Sequence, residues 1–318
     1  MKPVTVDEIA DAASRIRGVV VRTPLVRLSL DDAAAEVYLK LENLQPTGSF
    51  KVRGVSNVMA QLGPEAKRRG VYTVSAGNMA QALAWQSQRN GIPCAVIVPD
   101  NAAQTKLEAI KRYGARTTRL PFDDVWRVVT DHYYAPLKES IFVHPFSDEG
   151  MIAGNGTIGL EILEDLPGVE LVLVPFGGGG LSIGIASAVL AKRPRVSVYG
   201  VEPETAAPLA ASFSAGSAQE VVRVPSFVDG IGAKSVLPEV WEAVKGLLKG
   251  SLVVSLAQVA SAVRLLVERS RVVAEGAGAA SVAAALAGKA GHGKTVAVVS
   301  GGNIDSSRLA VILQGGVP

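Results

Sequence analysis

Short apolar runs alternate with helix-periodic segments along most of the chain. Val71-Tyr72-Thr73-Val74-Ser75 precedes a helix predicted over 78–89. Ala95-Val96-Ile97-Val98 precedes one over 105–113, and Ala115-Arg116-Thr117-Thr118-Arg119-Leu120 one that starts at Asp124. Ile141-Phe142-Val143 closes this set. A second set runs from a helix over 151–166 through Leu171-Val172-Leu173-Val174, a helix after Gly180 and Val196-Ser197-Val198-Tyr199-Gly200, to a last strand ending in Val298-Val299-Ser300. Strands separated by helices pair in parallel through right-handed crossovers, so the pattern predicts an α/β fold of open, twisted parallel sheets. Ahead of these sets, Thr5-Val6-Asp7-Glu8 reads as a capping box opening an amphipathic helix that ends near Gly18, followed by extended Leu25-Val26-Arg27-Leu28 and strand-like 37–42. From 212 to 237 Gly, Ser, Pro and Val mix without a period, and only irregular chain with a short helix or two is expected.

Composition narrows the class. The 318 residues are 48% apolar and 5% aromatic with 33 glycines, which suits alanine-lined helices packed closely on a sheet. Lys and Arg number 32 against 29 acids, a net charge of +3 that gives no argument for nucleic acid or an acidic membrane. A single cysteine, Cys94, excludes an internal disulfide, and His132, His144 and His292 lack zinc-ligand spacing. With no signal peptide or membrane-length apolar run in the sequence, a cytoplasmic protein is expected.

Four stretches carry candidate chemistry. In Pro46-Thr47-Gly48-Ser49-Phe50-Lys51-Val52-Arg53-Gly54, Gly48 permits a sharp turn and Ser49 is placed to cap a helix beginning at Phe50. Lys51 then falls in the first turn, where the macrodipole disfavours a cation and eases access to the neutral amine that Schiff-base chemistry needs. The plainer reading is a solvated lysine. In Phe176-Gly177-Gly178-Gly179-Gly180-Leu181-Ser182, glycines expose successive N–H groups at a helix start, suited to a phosphate; the alternative is a flexible crossover turn. Ser75-Ala76-Gly77-Asn78-Met79 repeats that strand-turn-helix geometry and suits a small carboxylate, unless Asn78 simply caps the helix. Ser300 ends the last strand, where it either donates into a site or satisfies a turn. Gly288-Lys289-Ala290-Gly291-His292-Gly293-Lys294-Thr295 matches the P-loop spelling. It stands between a preceding helix and a following strand, the reverse of the order that mechanism requires.

Taken in order, these pieces resemble the pyridoxal-phosphate enzymes of the tryptophan synthase β-like fold (fold type II), in particular the threonine/serine dehydratase and serine racemase group. The resemblance runs from Arg22-Thr23-Pro24-Leu25 to Ser300-Gly301-Gly302-Asn303. It implies two parallel-sheet domains, a large one from 1–69 and 148–318 and a small one from 70–147 inserted between them. It places the cofactor lysine at Lys51 with Phe50 flanking the ring, and the contact to the ring hydroxyl at Asn78. The phosphate loop falls at Gly177, Gly178, Gly179, Gly180 and Leu181, and the partner of the ring nitrogen at Ser300. The substrate-carboxylate loop becomes Ser75, Ala76, Gly77, Asn78 and Met79.

The implied reaction is α,β-elimination: Lys51 binds the cofactor, then takes the substrate α-proton, a β-hydroxyl leaves, and hydrolysis yields a 2-oxo acid and ammonia. The departures set the subclass. The racemases' second acid/base, a serine, is here Ala76, which favours dehydration over racemisation. Met79 replaces the usual histidine and would let a bulkier β-hydroxy amino acid compete with threonine and serine. The family's divalent-cation site maps to Glu202, Ala206 and Pro208; proline offers no side-chain ligand, which disfavours tight Mg²⁺ binding and leaves a monovalent or weakly held divalent cation near Glu202 and Ala206, completed by carbonyls, as what the resemblance implies. The family also implies a homodimer. Alternatives are a dehydratase for 3-hydroxyaspartate or phenylserine, β-replacement of the cysteine synthase kind, and a non-catalytic amino-acid sensor.

Overall fold

Thr5 opens the first helix, α1 (Val6–Arg15), and the capping box forms: the Glu8 N–H donates to the Thr5 hydroxyl and the Thr5 N–H to the Glu8 carboxylate at 2.8 Å. The computed structural model describes residues 3–29, 36–102, 104–289, 291 and 293–318. Next come β1 (Leu25–Arg27), β2 (Val37–Lys40), α2 (Lys51–Ala60) and α3 (Pro64–Arg69). The first alternating set is β3 (Val71–Val74), α4 (Asn78–Asn90), β4 (Cys94–Pro99), α5 (Gln104–Arg112), β5 (Arg116–Leu120), α6 (Phe122–Asp131) and β6 (Ile141–Phe142). The second is α7 (Glu149–Asp165), β7 (Leu171–Pro175), α8 (Gly180–Lys192), β8 (Ser197–Pro203), α9 (Pro208–Ala215), α10 (Pro238–Leu247), β9 (Ser251–Val254), α11 (Leu256–Leu265), α12 (Gly276–Leu286), β10 (Thr295–Val298) and α13 (Ser306–Leu313).

Two sheets result. One has the order β1-β2-β10-β7-β8-β9 and the other β5-β4-β3-β6; every pairing is parallel except β1 with β2, which is antiparallel. The late strand β10 sits between β2 and β7, with Val298 beside Lys40 and Ala297 beside Leu39. Because β2, β10 and β7 run the same way, the segments leaving them emerge on one edge: the lysine loop, the Ser300 turn and the glycine loop. Open parallel sheets place ligands at such an edge. In the second sheet, β3 and β6 are parallel neighbours, so 75–78 and 143–147 likewise leave together.

The cores lie on both faces of the larger sheet. One cluster joins α1, α7 and α8 through Ile9, Ile152, Ile158, Ile185 and Val189; the other joins α11 and α12 through Val259, Val263, Ala279 and Ala283. Some sequence expectations are corrected. The second helix begins at Lys51 rather than Phe50, and the Ser49 hydroxyl, buried and without a partner, caps nothing. The last strand ends at Val298, two residues before Ser300. Elements β9, α10 and α11 went unread, although Ser255 and Gln258 form a capping box at the start of α11. The P-loop spelling does lie between α12 and β10, with Ala290 and His292 outside the described residues.

Candidate active site

Lys51 owes its place to two loops strapped together. Gly48 turns with φ +72°, the Phe50 N–H donates to the Ser300 carbonyl at 3.0 Å, and the Gly302 N–H donates to the Gly48 carbonyl at 2.9 Å. Behind it, Arg53 of α2 is held on both sides. Its guanidinium donates to both Glu42 oxygens at 2.8 Å and to Glu161 of α7 at 2.7 and 2.9 Å. Lys40 of β2 reaches the same Glu161 at 2.6 Å. Such a fully paired buried cluster fixes the start of α2, since breaking one partner would strand a charge. Lys51 itself is pushed down to about 8 by burial. The helix N-terminus acts in the same direction. Its Nζ donates to the Pro145 carbonyl and lies 5.1 Å from the centre of the Phe50 ring.

The glycine loop is a row of unused donors. No described residue accepts from the N–H groups of Gly177, Gly178, Gly179, Gly180, Leu181 or Ser182. The first amides of a helix have no internal acceptor, so an anion is their natural partner. Gly179 requires its glycine by φ +90°. Gly178 and Gly180 require theirs for another reason: a Cβ at either would collide with Phe146, with its ring at Gly178 and its carbonyl at Gly180. A Cβ on Gly177 would meet Ile231 at an ordinary 3.5 Å. Leu181 offers only its amide, because its side chain is in the core.

A second row of free amides belongs to Asn78, Met79 and Ala80 at the start of α4, beside Ser75, whose hydroxyl accepts from the Gly77 N–H at 3.0 Å. Asn78 does not cap this helix. Its Nδ2 donates to Glu275 at 2.6 Å and its Oδ1 accepts from Asn303 Nδ2 at 2.7 Å, so two chain-distant loops fix the amide's orientation. Glu275 is raised to about 7, burial outweighing the Asn78 bond. The Met79 side chain is buried, in one cluster with Val52, Val55 and Met59. Ala76 packs against the cluster of Ala80 and Val96. The Ser300 hydroxyl donates to no described residue, while its carbonyl takes the Phe50 N–H.

Glu202, the expected cation ligand, already accepts three hydrogen bonds. Its two oxygens accept from the Leu209 N–H at 2.8 Å, the Ala210 N–H at 2.9 Å and the Ser251 hydroxyl at 2.6 Å, so it caps α9, with Pro208 at the first helical position. Burial raises it to about 7. No group of three or more His, Cys, Asp or Glu side chains placed to hold a metal ion occurs among the described residues.

Sequence reasoning missed Glu275, Asn303 as a holder of Asn78, and the Pro145-Phe146 turn. Glu275 had a signal: a lone acid opening the apolar run Gly276-Ala277-Gly278-Ala279-Ala280. The turn had none, because its role depends on β6 lying beside β3.

Strand ends that gather a desolvated amine and two rows of free amides make a site for a phosphorylated carbonyl compound and a second small anion. Over residues 16–301 the chain matches the pyridoxal-phosphate dependent enzyme family, and it belongs to that family. It is 41% identical to an L-threonine ammonia-lyase of Thermotoga maritima over 99% of this chain and 79% of the relative. Among solved structures it matches a T.th. threonine deaminase (TM-score 0.87, 32% identity, 95% of this chain and 99% of that one). Maize serine racemase matches as well (TM-score 0.87, 31% identity, 97% and 96%). The fold is that of the fold type II pyridoxal-phosphate enzymes.

Proposed function

We propose that this chain is a pyridoxal-phosphate-dependent ammonia-lyase that removes water from an L-β-hydroxy amino acid, threonine or serine first, giving a 2-oxo acid and ammonia. The observation that carries the reading is the desolvated Lys51 on the same sheet edge as a free hydroxyl, Ser300, instead of a carboxylate. Names of relatives support the same activity. The residues fit the cofactor: six unpaired amides suit its phosphate, an amine near neutrality suits its aldehyde, and the Ser300 hydroxyl suits its ring nitrogen.

Pyridoxal phosphate, when bound, supplies a carbonyl carbon for amines and a ring that draws off carbanion charge. Lys51 would hold it and, once displaced by the substrate amine, accept the α-proton at Nζ, with the Pro145 carbonyl as hydrogen-bond acceptor for the resulting ammonium. The Gly177 to Ser182 amides would anchor the phosphate, and those of Asn78, Met79 and Ala80 the substrate carboxylate. Asn78, locked by Glu275 and Asn303, keeps one N–H to orient the ring hydroxyl. Ser300 carries no charge to hold a proton on the ring nitrogen, which favours loss of the β-hydroxyl over slower competing outcomes. Ala76 has no proton to deliver on the opposite face, which disfavours racemisation. Phe50 would flank the ring and, with Phe146, exclude water.

Residues 70–147 are proposed as a small domain inserted into a large one of 1–69 and 148–318. Sheet membership supports this, since β3 to β6 form one sheet and the other strands the second. A homodimer and a cytoplasmic location complete the proposal; no described helix is long and apolar enough to cross a membrane. A cation near Glu202 and Ala206, monovalent or divalent, is also part of the proposal; it would share the carboxylate with the Leu209 and Ala210 N–H groups and the Ser251 hydroxyl, and potassium dependence of the activity tests it.

The test is 2-oxo acid release from L-threonine, L-serine, 3-hydroxyaspartate and phenylserine by cofactor-loaded protein, with Lys51→Ala as control. Turnover of threonine or serine, lost in the variant, is expected. Turnover of another panel member alone would reassign the substrate, and release from none would replace elimination by β-replacement or sensing.

A further inference from the structure

His144 takes no part in the chemistry above, yet its ring is buried and every polar atom on it is committed. Its Nδ1 accepts from two backbone donors, the Phe146 N–H at 3.2 Å and the Ser147 N–H at 2.7 Å. A nitrogen that accepts carries no proton, so the ring proton is on Nε2, which donates to the Val129 carbonyl of α6 at 3.2 Å. We infer that His144, fixed as this neutral Nε2–H tautomer, is a positioning residue for Lys51: it clamps the Pro145-Phe146-Ser147 turn that faces the lysine and the glycine loop. This rests on the proposed role of Lys51.

The turn contributes three contacts at once. The Pro145 carbonyl accepts from Lys51 Nζ, the Phe146 ring occupies the space a Cβ on Gly178 would need, and the Phe146 carbonyl does the same at Gly180. The Ser147 hydroxyl donates to Glu239 of α10 at 3.0 Å, which holds the far end. Rotation of the turn would therefore disturb the amine and the anion loop together. The ring is packed edge-on to Phe142 and Phe146, with centres 5.6 and 4.6 Å away, and lies 4.4 Å from His132 at the end of α6. The titratable groups facing it are His132 and, from α2, Lys51; both oppose a positive charge on it, and burial lowers it to about 3. A protonated Nδ1 would also point its hydrogen at two N–H donors.

Two substitutions separate positioning from simple packing. His144→Asn keeps an acceptor near the place of Nδ1; His144→Gln keeps a donor near the place of Nε2. The readout is the pH profile of reductive methylation of Lys51 by formaldehyde and cyanoborohydride, mapped by peptide mass on the full-length chain cleared of cofactor. Wild type and His144→Asn should titrate alike. In His144→Gln the turn loosens, more water reaches the half-buried Lys51, and the profile should move up by about one pH unit, slowing methylation about tenfold near pH 7. An unshifted His144→Gln, or equal shifts in both variants, overturns the inference. Nitrogen-15 spectra of histidine-labelled wild type decide it even if the variants do not fold: a proton on Nε2 alone is expected, and one on Nδ1 overturns it. If Lys51 does not bind pyridoxal phosphate, wild type fails to capture that cofactor while these results stand, so the two failures are distinguishable.

Discussion

At the scale of single residues, the glycine loop shows why one residue type is used for different reasons. Gly178 and Gly180 make room for Phe146, Gly179 for its own backbone, and Gly177 for nothing that belongs to the protein. Gly178→Ala should therefore destabilise the cofactor-free protein by about 1–3 kcal/mol, the usual cost of overpacking. Gly177→Ala should leave it unchanged or stabilise it by about 0.4–1 kcal/mol. Urea denaturation of the two variants checks this; equal losses would refute the division of labour. That helices start at Lys51 and Asn78 was legible in the sequence to within one residue, from the glycine turns before them. Their partners were not, because Pro145 is 94 positions from Lys51 and Glu275 is 197 from Asn78. The single letters also misled where packing decides. Ser49 looks like a cap and is an unpartnered buried hydroxyl.

At the scale of elements, α2 matters most, since its first turn carries both Lys51 and Arg53. Arg53, Glu42, Glu161 and Lys40 tie α2 to α7 and β2. Arg53→Met would leave Glu42, which is fully buried, with only the Thr23 hydroxyl and Gln45 amide as partners. A loss of about 3–5 kcal/mol is expected, measured as a lower urea midpoint, because an uncompensated buried carboxylate remains. A loss under about 1 kcal/mol would show that the cluster does not hold α2. Most strands and helices up to 200 were legible, since apolar runs bounded by polar helix faces survive in any context. The stretch from 238 to 278 was not: β9 is a four-residue edge strand, and α10 and α11 are only ten residues each, although both carry a polar face, at Glu239, Glu242 and Lys245 and at Gln258, Ser261 and Arg264. The capping box at Ser255 was the usable clue.

At the scale of the molecule, the site exists only because β10 returns to the middle of the sheet and brings Ser300 beside the lysine loop. The second sheet then lends Asn78, His144 and the 145–147 turn. Contacts between the two sets of elements include Asn78 with Glu275 and Lys106 with Asp229 at 2.8 Å. Fold class was readable from strand-helix alternation, whereas the order of strands that makes one edge reactive is a long-range property. Every role proposed for the site depends on Lys51 as the residue that captures pyridoxal phosphate. The most direct measurement is borohydride reduction of the protein loaded with that cofactor between pH 6 and 9, followed by peptide mass mapping. A phosphopyridoxyl adduct on the Lys51 peptide is predicted, with a rate of capture that rises with pH, passes its midpoint near pH 8 and levels toward pH 9 as the amine loses its proton. An unmodified Lys51 peptide with the adduct on another lysine, or on none, would contradict it.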